Sequence, residues 1–586
     1  MKRQAAKSGK ATNPKYVFVV GGVMSGIGKG VATSSIARIL KSKGFRVTAL
    51  KIDPYINVDA GTMNPTEHGE VFVLDDGYET DQDMGNYERF LGESLPSVNY
   101  MTTGRVYLEV IRRERNLEYK GKNVQVVPDV PAEVIRRIKE AQKKAKADIT
   151  LIEIGGTIGE YENILFLEAA RMLRHEHPKD VAVVMLSYVP IPSNIGEMKT
   201  KPTQHASREL NSAGLQADII LARAAVPLDH KRKEKIAVFC NVSPKRVVSA
   251  PDVESIYDVP LNYEKDGLGE QLTEVLGLSA RKSDLKDWSA FVRKARNGNK
   301  SVDIAVVGKY FDSGSFVLSD VYISVIEALK AAAYSQNLKP RITYLNSKDF
   351  ESGKLPLSEL DKYQGVLIPG GFGETGIEGK IQAIRYVREH KIPYFGLCYG
   401  MQLAVIEFAR NIAKLRGAHT QEIDNDAPHQ VVAVMDSQKQ NLEENKYGGT
   451  MRLGTYPCKL REGTIARKAY GVPKISERHR HRFEVNPRYI DKLEGAGLLF
   501  SGRSPDGVLM EIAELPREVH PFFLGTQFHP EFLSRPLAPH PLFVAFLKAA
   551  CLRRQDNRQA KESLPAQASA PHPLRAAALL AKTKTR

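Results

Sequence analysis

Short apolar runs alternate with amphipathic stretches along most of the chain. YVFVV (16–20), RVTALKI, DITLIEI, VAVVMLSYV, ADIILARA and KIAVFCNV read as strands buried on both faces, and VATSSIARILKSKG and PAEVIRRIKEAQKKA read as covering helices. The pattern breaks at RKSDLKDWSAFVRKARNGNK, which is polar, carries the single tryptophan and ends in a turn signal. It resumes with VDIAVVGKY, RITYLN, YQGVLIPGG, IPYFGLC and FLGTQF, separated by SDVYISVIEALKAAAYS and MQLAVIEFARNIA. The prediction is two α/β domains, each a doubly wound parallel sheet, at 16–280 and 301–550 with a linker at 281–300. No repeat at a solenoid period relates the halves.

Composition adds limits. The 586 residues carry a formal charge of +16, but the excess sits at the ends: 1–15 holds five Lys or Arg and no acid, and 551–586 is also basic. Both ends are predicted to be disordered tails, which argues against a nucleic-acid-binding body. No apolar run is long enough to span a bilayer and the N-terminal segment lacks a signal-like core, so a cytoplasmic enzyme without a membrane partner is expected. Four scattered cysteines support neither a disulfide framework nor a thiolate zinc site.

Chemistry concentrates in two places. In GGVMSGIGKG a strand passes through a glycine turn into a helix, so backbone N–H groups can converge on phosphate with Lys29 adding charge. Gly30 stands where a phosphate loop ordinarily supplies a Ser or Thr for magnesium, so carboxylates elsewhere must serve. Candidates are the acids Asp75, Asp76, Glu79, Asp81 and Asp83, read as a loop, and Glu153 closing an apolar strand. A carboxylate there needs a partner, a lysine or a cation.

In the second domain, Cys398 lies between Gly396 and Gly400 where a strand turns into a helix, the geometry of a nucleophile elbow, whose helix N-terminus favours thiolate. Gly370 and Gly371 end another strand and can offer oxyanion donors. His529 and Glu531, two apart in FHPEF, read as base and orienting carboxylate on an extended segment. Cys240 and Cys458 have no glycine elbow and read as packing residues.

PGGFG, GLCYGMQLAV and FHPEF resemble class I glutamine amidotransferases. With GGVMSGIGKG, KIDPYINVDAGTMNPTEHGEVFVLDDG, NYERF, EIGGTIGEYE, GEMKTKPTQH and FCNV, nearly the whole chain resembles the CTP synthase family. The resemblance implies ATP-dependent amination of UTP through a 4-phosphoryl intermediate, with ammonia from glutamine passed along an internal tunnel. It assigns Ser25, Gly26, Ile27, Gly28, Lys29, Gly30 and Asp83 to ATP, and Lys29 and Lys51 to the transferring phosphoryl group. It assigns Asp83 and Glu153 to Mg2+. Ser25, Glu160, Tyr161, Glu162, Lys199, Thr200, Lys201, Pro202, Thr203, Gln204 and Lys235 would meet UTP or the inhibitor CTP. Gly371, Tyr399, Gly400, Met401, Gln402, Glu422 and Arg482 would hold glutamine, while Cys398, His529 and Glu531 hydrolyse it. The family is a homotetramer activated by GTP.

Three positions depart from the family pattern: Thr375 replaces an arginine in GGFGETG, Lys120 a leucine, and Asp129 a histidine. They predict a weak or altered GTP response with the ammonia reaction retained. Two competing readings are a related glutamine-dependent ligase acting on a carboxylate and a decayed enzyme that serves in assembly. DPYINVD and KTKPTQH weigh against the first, and retention of Lys29, Asp83, Glu153, Cys398, His529 and Glu531 against the second.

Overall fold

The structure is a computed structural model that describes residues 13–194, 196–279, 281–309, 319–434 and 451–563. Seven strands form the first sheet: β1 (Lys15–Gly21), β2 (Val47–Asp53), β3 (Tyr100–Thr102), β4 (Ile149–Ile154), β5 (Val181–Tyr188), β6 (Ile219–Ala224) and β7 (Val247–Pro251). Their spatial order is β3-β2-β4-β1-β5-β6-β7, and every pairing is parallel. The order reverses at β1, so the crevice at its carboxyl end, where open α/β sheets take ligands, lies beside the glycine turn. The turn feeds α1 (Lys29–Ser42), and α2 (Asp83–Leu91) packs beside α1.

KIAVFCNV is not a strand. Residues His230–Phe239 are helical, capped by the Asp229 side chain on the Arg232 N–H, and the buried edge strand is the later β7. Among the nucleotide-assigned residues, α3 (Lys201–Ser212) carries Pro202, Thr203 and Gln204.

The predicted linker contains a helix, α4 (Lys286–Asn297). Its amphipathic face buries Trp288 and Phe291 against Phe90 and Tyr257, and Phe291 meets Tyr334 of the second domain edge to face. Burial of two large aromatics makes this segment a bracket between domains.

The second sheet contains β8 (Lys300–Gly308), β9 (Leu338–Asn346), β10 (Gly365–Ile368), β11 (Tyr394–Leu397), β12 (Arg452–Leu460), β13 (Lys474–His481), β14 (Leu499–Arg503), β15 (Met510–Glu514) and β16 (Phe523–Thr526). In the order β9-β8-β10-β11-β16-β15-β14-β12-β13 the first five run parallel and the rest antiparallel. Helices α5 (Ile377–Glu389) and α6 (Tyr399–Asn411) pack on each other, and α6 leaves the carboxyl end of β11.

The ends differ from expectation where they are described. Lys15 belongs to β1, where it is buried and pairs with Asp180 at 2.6 Å. The last helix, α7 (Pro541–Ser563), continues past residue 550, so the start of the expected tail is helical. Residues 1–12 and 564–586 lie outside the described residues.

Candidate active site

At the glycine turn, Gly26 and Gly28 adopt positive φ (69° and 88°), a conformation other residues resist. Ser25 and Gly26 are exposed there. Lys29 donates from Nζ to the Gly156 carbonyl at 2.7 Å, and burial lowers its pKa. An anionic phosphate would restore what burial takes from this ammonium.

Gly30 has a steric reason to be glycine. A β-carbon there would overlap the Asp83 carboxylate, with its carboxyl carbon only 2.6 Å away. Asp83, at the start of α2 and not in a loop, thus occupies the room a Ser or Thr would need. Its partner is Lys51, whose buried Nζ also lies 3.2 Å from Glu153 Oε1 and 3.4 Å from Asp53 Oδ1. Glu153 therefore has the partner its burial demands, and the Tyr87 hydroxyl donates to its other oxygen. Burial would raise the Asp83 carboxyl, but Lys51 outweighs it and holds it low, whereas burial prevails at Glu153 and raises it. Asp83 and Glu153 form an all-oxygen donor pair opposite the glycine turn, which fits a hard cation such as magnesium.

Sequence reasoning missed Asp53 and Tyr87, and also a cavity of about 240 Å³ over Gly28. Ile27, Val31, Ala250, Val253 and Tyr263 line it with Arg223 and Asp252. Arg223 donates to the Ile27 carbonyl at 2.8 Å and to Asp252 at 3.1 Å. A mostly apolar slot edged by Arg223, Asp252 and Asn262 beside a glycine turn suits a nucleobase.

The other nucleotide-assigned residues do not line this cavity and differ in exposure. Glu160 accepts from the Thr157 N–H at 2.7 Å, Tyr161 is 92% exposed, and Glu162 and Lys235 are exposed. Lys199 pairs with Glu197 at 2.8 Å, and Lys201 lies over the Phe239 ring. Thr200, Thr203 and Gln204 are buried, with Gln204 donating to Thr200 and Ser187 to Thr203.

In the second domain, Cys398 has φ 48° and ψ −98°, the strained corner of a strand-to-helix elbow, and is 3% exposed. A β-carbon on Gly370 would meet His529 Cε1 at 2.8 Å and Cys398 Cβ at 3.7 Å, so glycine permits their approach. His529 Nδ1 lies 2.7 Å from Glu531 Oε1. The segment is not extended: Pro530 starts a single turn, Pro530–Leu533, which brings the Glu531 carboxylate back to the ring nitrogen Nδ1. Burial alone would lower the His529 pKa, but the charges of Glu531 and Cys398 raise it to about 10.

The residues assigned to glutamine gather around this elbow. Gln402 donates to the Phe483 carbonyl at 2.9 Å and to Gln527 Oε1 at 3.2 Å, Glu422 accepts from the Gly373 N–H at 2.8 Å, and Tyr399 reaches the Gly373 carbonyl at 3.4 Å. Gly371 is half-buried beside Lys309, Gly400 and Met401 are buried at the start of α6, and Arg482 is half-buried just beyond β13. Gln527, whose amide donates to Cys398 Sγ at 3.6 Å, was missed; its alternation with His529 was the available signal. Cys240 and Cys458 are buried, and burial raises both thiols, consistent with packing roles.

The two halves share a cavity of about 70 Å³. Gly370, Phe372, Cys398, Arg480 and His529 line one side, and Pro65, Glu70 and Val71 of the first domain the other. Neither Lys120 nor Asp129 lines it; Lys120 is exposed, and Asp129 accepts from Lys122 and the Gln125 N–H. Thr375 is exposed between Gly373 and Gly376.

A glycine turn opening a helix in one domain and the Cys398, His529 and Glu531 cluster in the other are the combination expected of a glutamine-dependent ligase. The family model described as CTP synthase N-terminus matches residues 15–278, and that of class-I glutamine amidotransferase matches 317–549. A CTP synthase of Pyrococcus furiosus is 50% identical over 92% of this chain and 99% of its own length, and one of Halalkalibacterium halodurans is 47% identical over 92% and 99%. The glutaminase domain of a Trypanosoma brucei CTPS, solved with bound acivicin, is 36% identical over 43% of this chain and 94% of its own, with a TM-score of 0.39. The chain belongs to the CTP synthase family. Family membership disposes of the carboxylate-ligase reading, and among the described residues no helix is long and apolar enough to cross a membrane.

Proposed function

We propose that the chain aminates UTP at C4 in two linked chambers. The carrying observation is the cavity that has Cys398 and His529 in one wall and Pro65, Glu70 and Val71 in the other, since it opens the nitrogen-releasing site toward the phosphate domain.

In the glutaminase, the Cys398 sulfur attacks the glutamine carboxamide, and Gly370 and Gly371 donate to the oxyanion. Protonated His529, oriented by Glu531, gives its proton to the leaving nitrogen, so ammonia departs and a thioester remains. Water then releases glutamate. Glu422 holds the substrate ammonium and Arg482 its carboxylate, with Tyr399 and Gln402 shaping the pocket.

In the synthetase, the turn from Ser25 to Gly30 takes the ATP phosphates, the Arg223 and Asp252 slot takes the base, and Lys29 and Lys51 neutralise the phosphoryl group as it moves to O4 of UTP. Asp83 and Glu153 would hold magnesium, which supplies further neutralisation of phosphate charge when bound. Ammonia released into the shared cavity and passed to the synthetase displaces phosphate from C4, losing a proton, to give CTP. Glu160, Tyr161, Glu162, Lys199 and Lys235 present exposed polar groups suited to UTP or CTP at a subunit boundary in a homotetramer. Thr375 in the glutaminase loop leads us to expect weak GTP activation, read from glutamine kinetics with and without GTP. Ordinary strong activation removes that expectation.

The test is CTP formation from UTP, ATP and magnesium with glutamine or ammonium. Cys398→Ala should abolish the first and keep the second. A wild type making no CTP from either nitrogen source ends this reading.

A further inference from the structure

One buried acid lies outside both reaction sites yet touches both domains. Glu88, on α2, is fully buried. Its two oxygens accept from Arg478 at 2.9 and 3.0 Å, and one also accepts from Arg535 at 2.5 Å and the other from the Leu95 N–H at 2.8 Å. Both arginines come from the glutaminase, and both return to His529. The Arg478 carbonyl accepts from the His529 N–H at 2.8 Å. Arg535 donates to the Phe532 carbonyl at 2.7 Å, and the Phe532 ring stacks on the His529 ring at 5.0 Å. Glu88 therefore grips the two ends of the turn that carries the catalytic base.

The same nine-residue helix carries the phosphate-side groups. Asp83 at its start meets Lys51, and Tyr87, one turn on, donates to Glu153. A helix this short is a stiff link between the way Asp83 is held and the place of Glu88.

We propose that Glu88 is a positioning residue that couples occupancy of the phosphate site to the placement of His529, so that glutamine is hydrolysed efficiently only when ATP and UTP are bound. The proposal rests on the reading of Asp83 as a phosphate-side residue. A buried ion cluster can also serve stability alone, and breaking one is costly, so the test must separate the roles.

In the full-length enzyme, Glu88→Gln keeps the size of the side chain and an acceptor for Leu95 while removing the charge that Arg478 and Arg535 share, with Asp75 still paired to Arg478 at 2.5 Å. Ammonia-dependent CTP formation should stay close to wild type. The stimulation of glutamine hydrolysis by ATP plus UTP should fall by about fivefold or more, the lower end of typical inter-site coupling. Glutamate released per CTP should rise. Glu88→Asp, which keeps the charge but shortens the reach, should show the same split more weakly and serves alone if the Gln variant is insoluble. Unchanged stimulation, a wild type whose hydrolysis ignores ATP and UTP, or equal loss of the ammonia and glutamine reactions in the soluble variants overturns the proposal. A wild type that makes no CTP from either nitrogen source instead overturns the functional reading beneath it.

Discussion

Asp83 fills the space that a side chain at residue 30 would occupy, its carboxyl carbon 2.6 Å from where a β-carbon on Gly30 would stand. Under the proposed phosphate role of this turn, the carboxylate brought from α2 stands in for the missing hydroxyl as oxygen donor.

Restoring the ordinary phosphate-loop residue should do harm. Gly30→Ser displaces Asp83 from Lys51, and misplacing a charged group by about 1 Å can cost about a hundredfold in rate. Ammonia-dependent CTP formation should fall by that order, while basal glutamine hydrolysis at Cys398 persists. Retained ammonia-dependent activity in the serine variant would mean that Asp83 is free to move aside.

The contact between His529 and Glu531 at 2.7 Å predicts a selective defect. Glu531→Gln removes the charge that raises the His529 pKa and favours the wrong tautomer, a change that costs up to about 10⁴-fold in an analogous triad. Glutamine-dependent turnover should fall in that range with the ammonia reaction intact. The wild-type imidazolium is stabilised up to a pKa of about 10. Its folded pKa lies above its unfolded one, so its contribution to stability is complete below pH 6.5 and is lost as the pH rises toward 10. Titrating thermal stability across that window, against Glu531→Gln, checks the sign.

Glu70 sits in the wall of the shared cavity, where the Ser324 N–H donates to it at 3.2 Å and the Ser324 hydroxyl also reaches it. Burial raises its pKa to about 8, Ser324 and Arg89 pulling the other way and Glu531 adding to the rise. Between pH 4.5 and 8 the folded protein keeps a proton that the unfolded chain has lost, so stability falls as pH rises through this window. Glu70→Gln should therefore be stabilised relative to wild type at pH 8.5 more than at pH 5, by roughly a few kcal/mol at most. Melting temperatures at the two pH values decide it, and a gap that does not widen with pH would show that Glu70 is ionised in place.

Much of this was legible in the sequence, for reasons that differ by residue. Lys29, Cys398 and His529 sit in glycine-flanked or strand-end positions, where local spacing carries the chemistry. Lys51 as the partner of Glu153 was not legible, because β2 and β4 are brought together by sheet order and not by sequence. KIAVFCNV misled because an apolar run of that length suits a buried helix face as well as a strand, and the Asp229 cap decided the matter. The antiparallel half of the second sheet escaped notice in part because β13 is charged, with Arg478 and Arg480 finding their partners Glu88 and Glu79 in the other domain.

A last buried charge offers a stability test near the glutamine pocket. Lys380, on α5, is fully buried, its Nζ makes no hydrogen bond among the described residues, and it lies over the Tyr399 ring at 5.5 Å. Burial lowers its pKa to about 7, with Lys309 adding to the fall and Glu422 opposing it. Between pH 7 and 10.5 the unfolded chain binds a proton that the folded protein does not, so wild-type stability rises with pH across that interval. Replacing the amine by a thioether of similar length removes the cost of burying it, about 1–3 kcal/mol. Lys380→Met should accordingly melt higher than wild type at pH 6.5, with the advantage shrinking toward pH 9.5. A margin that is flat or grows with pH refutes the assignment, and a raised KM for glutamine would instead place Lys380 among the residues that hold the substrate.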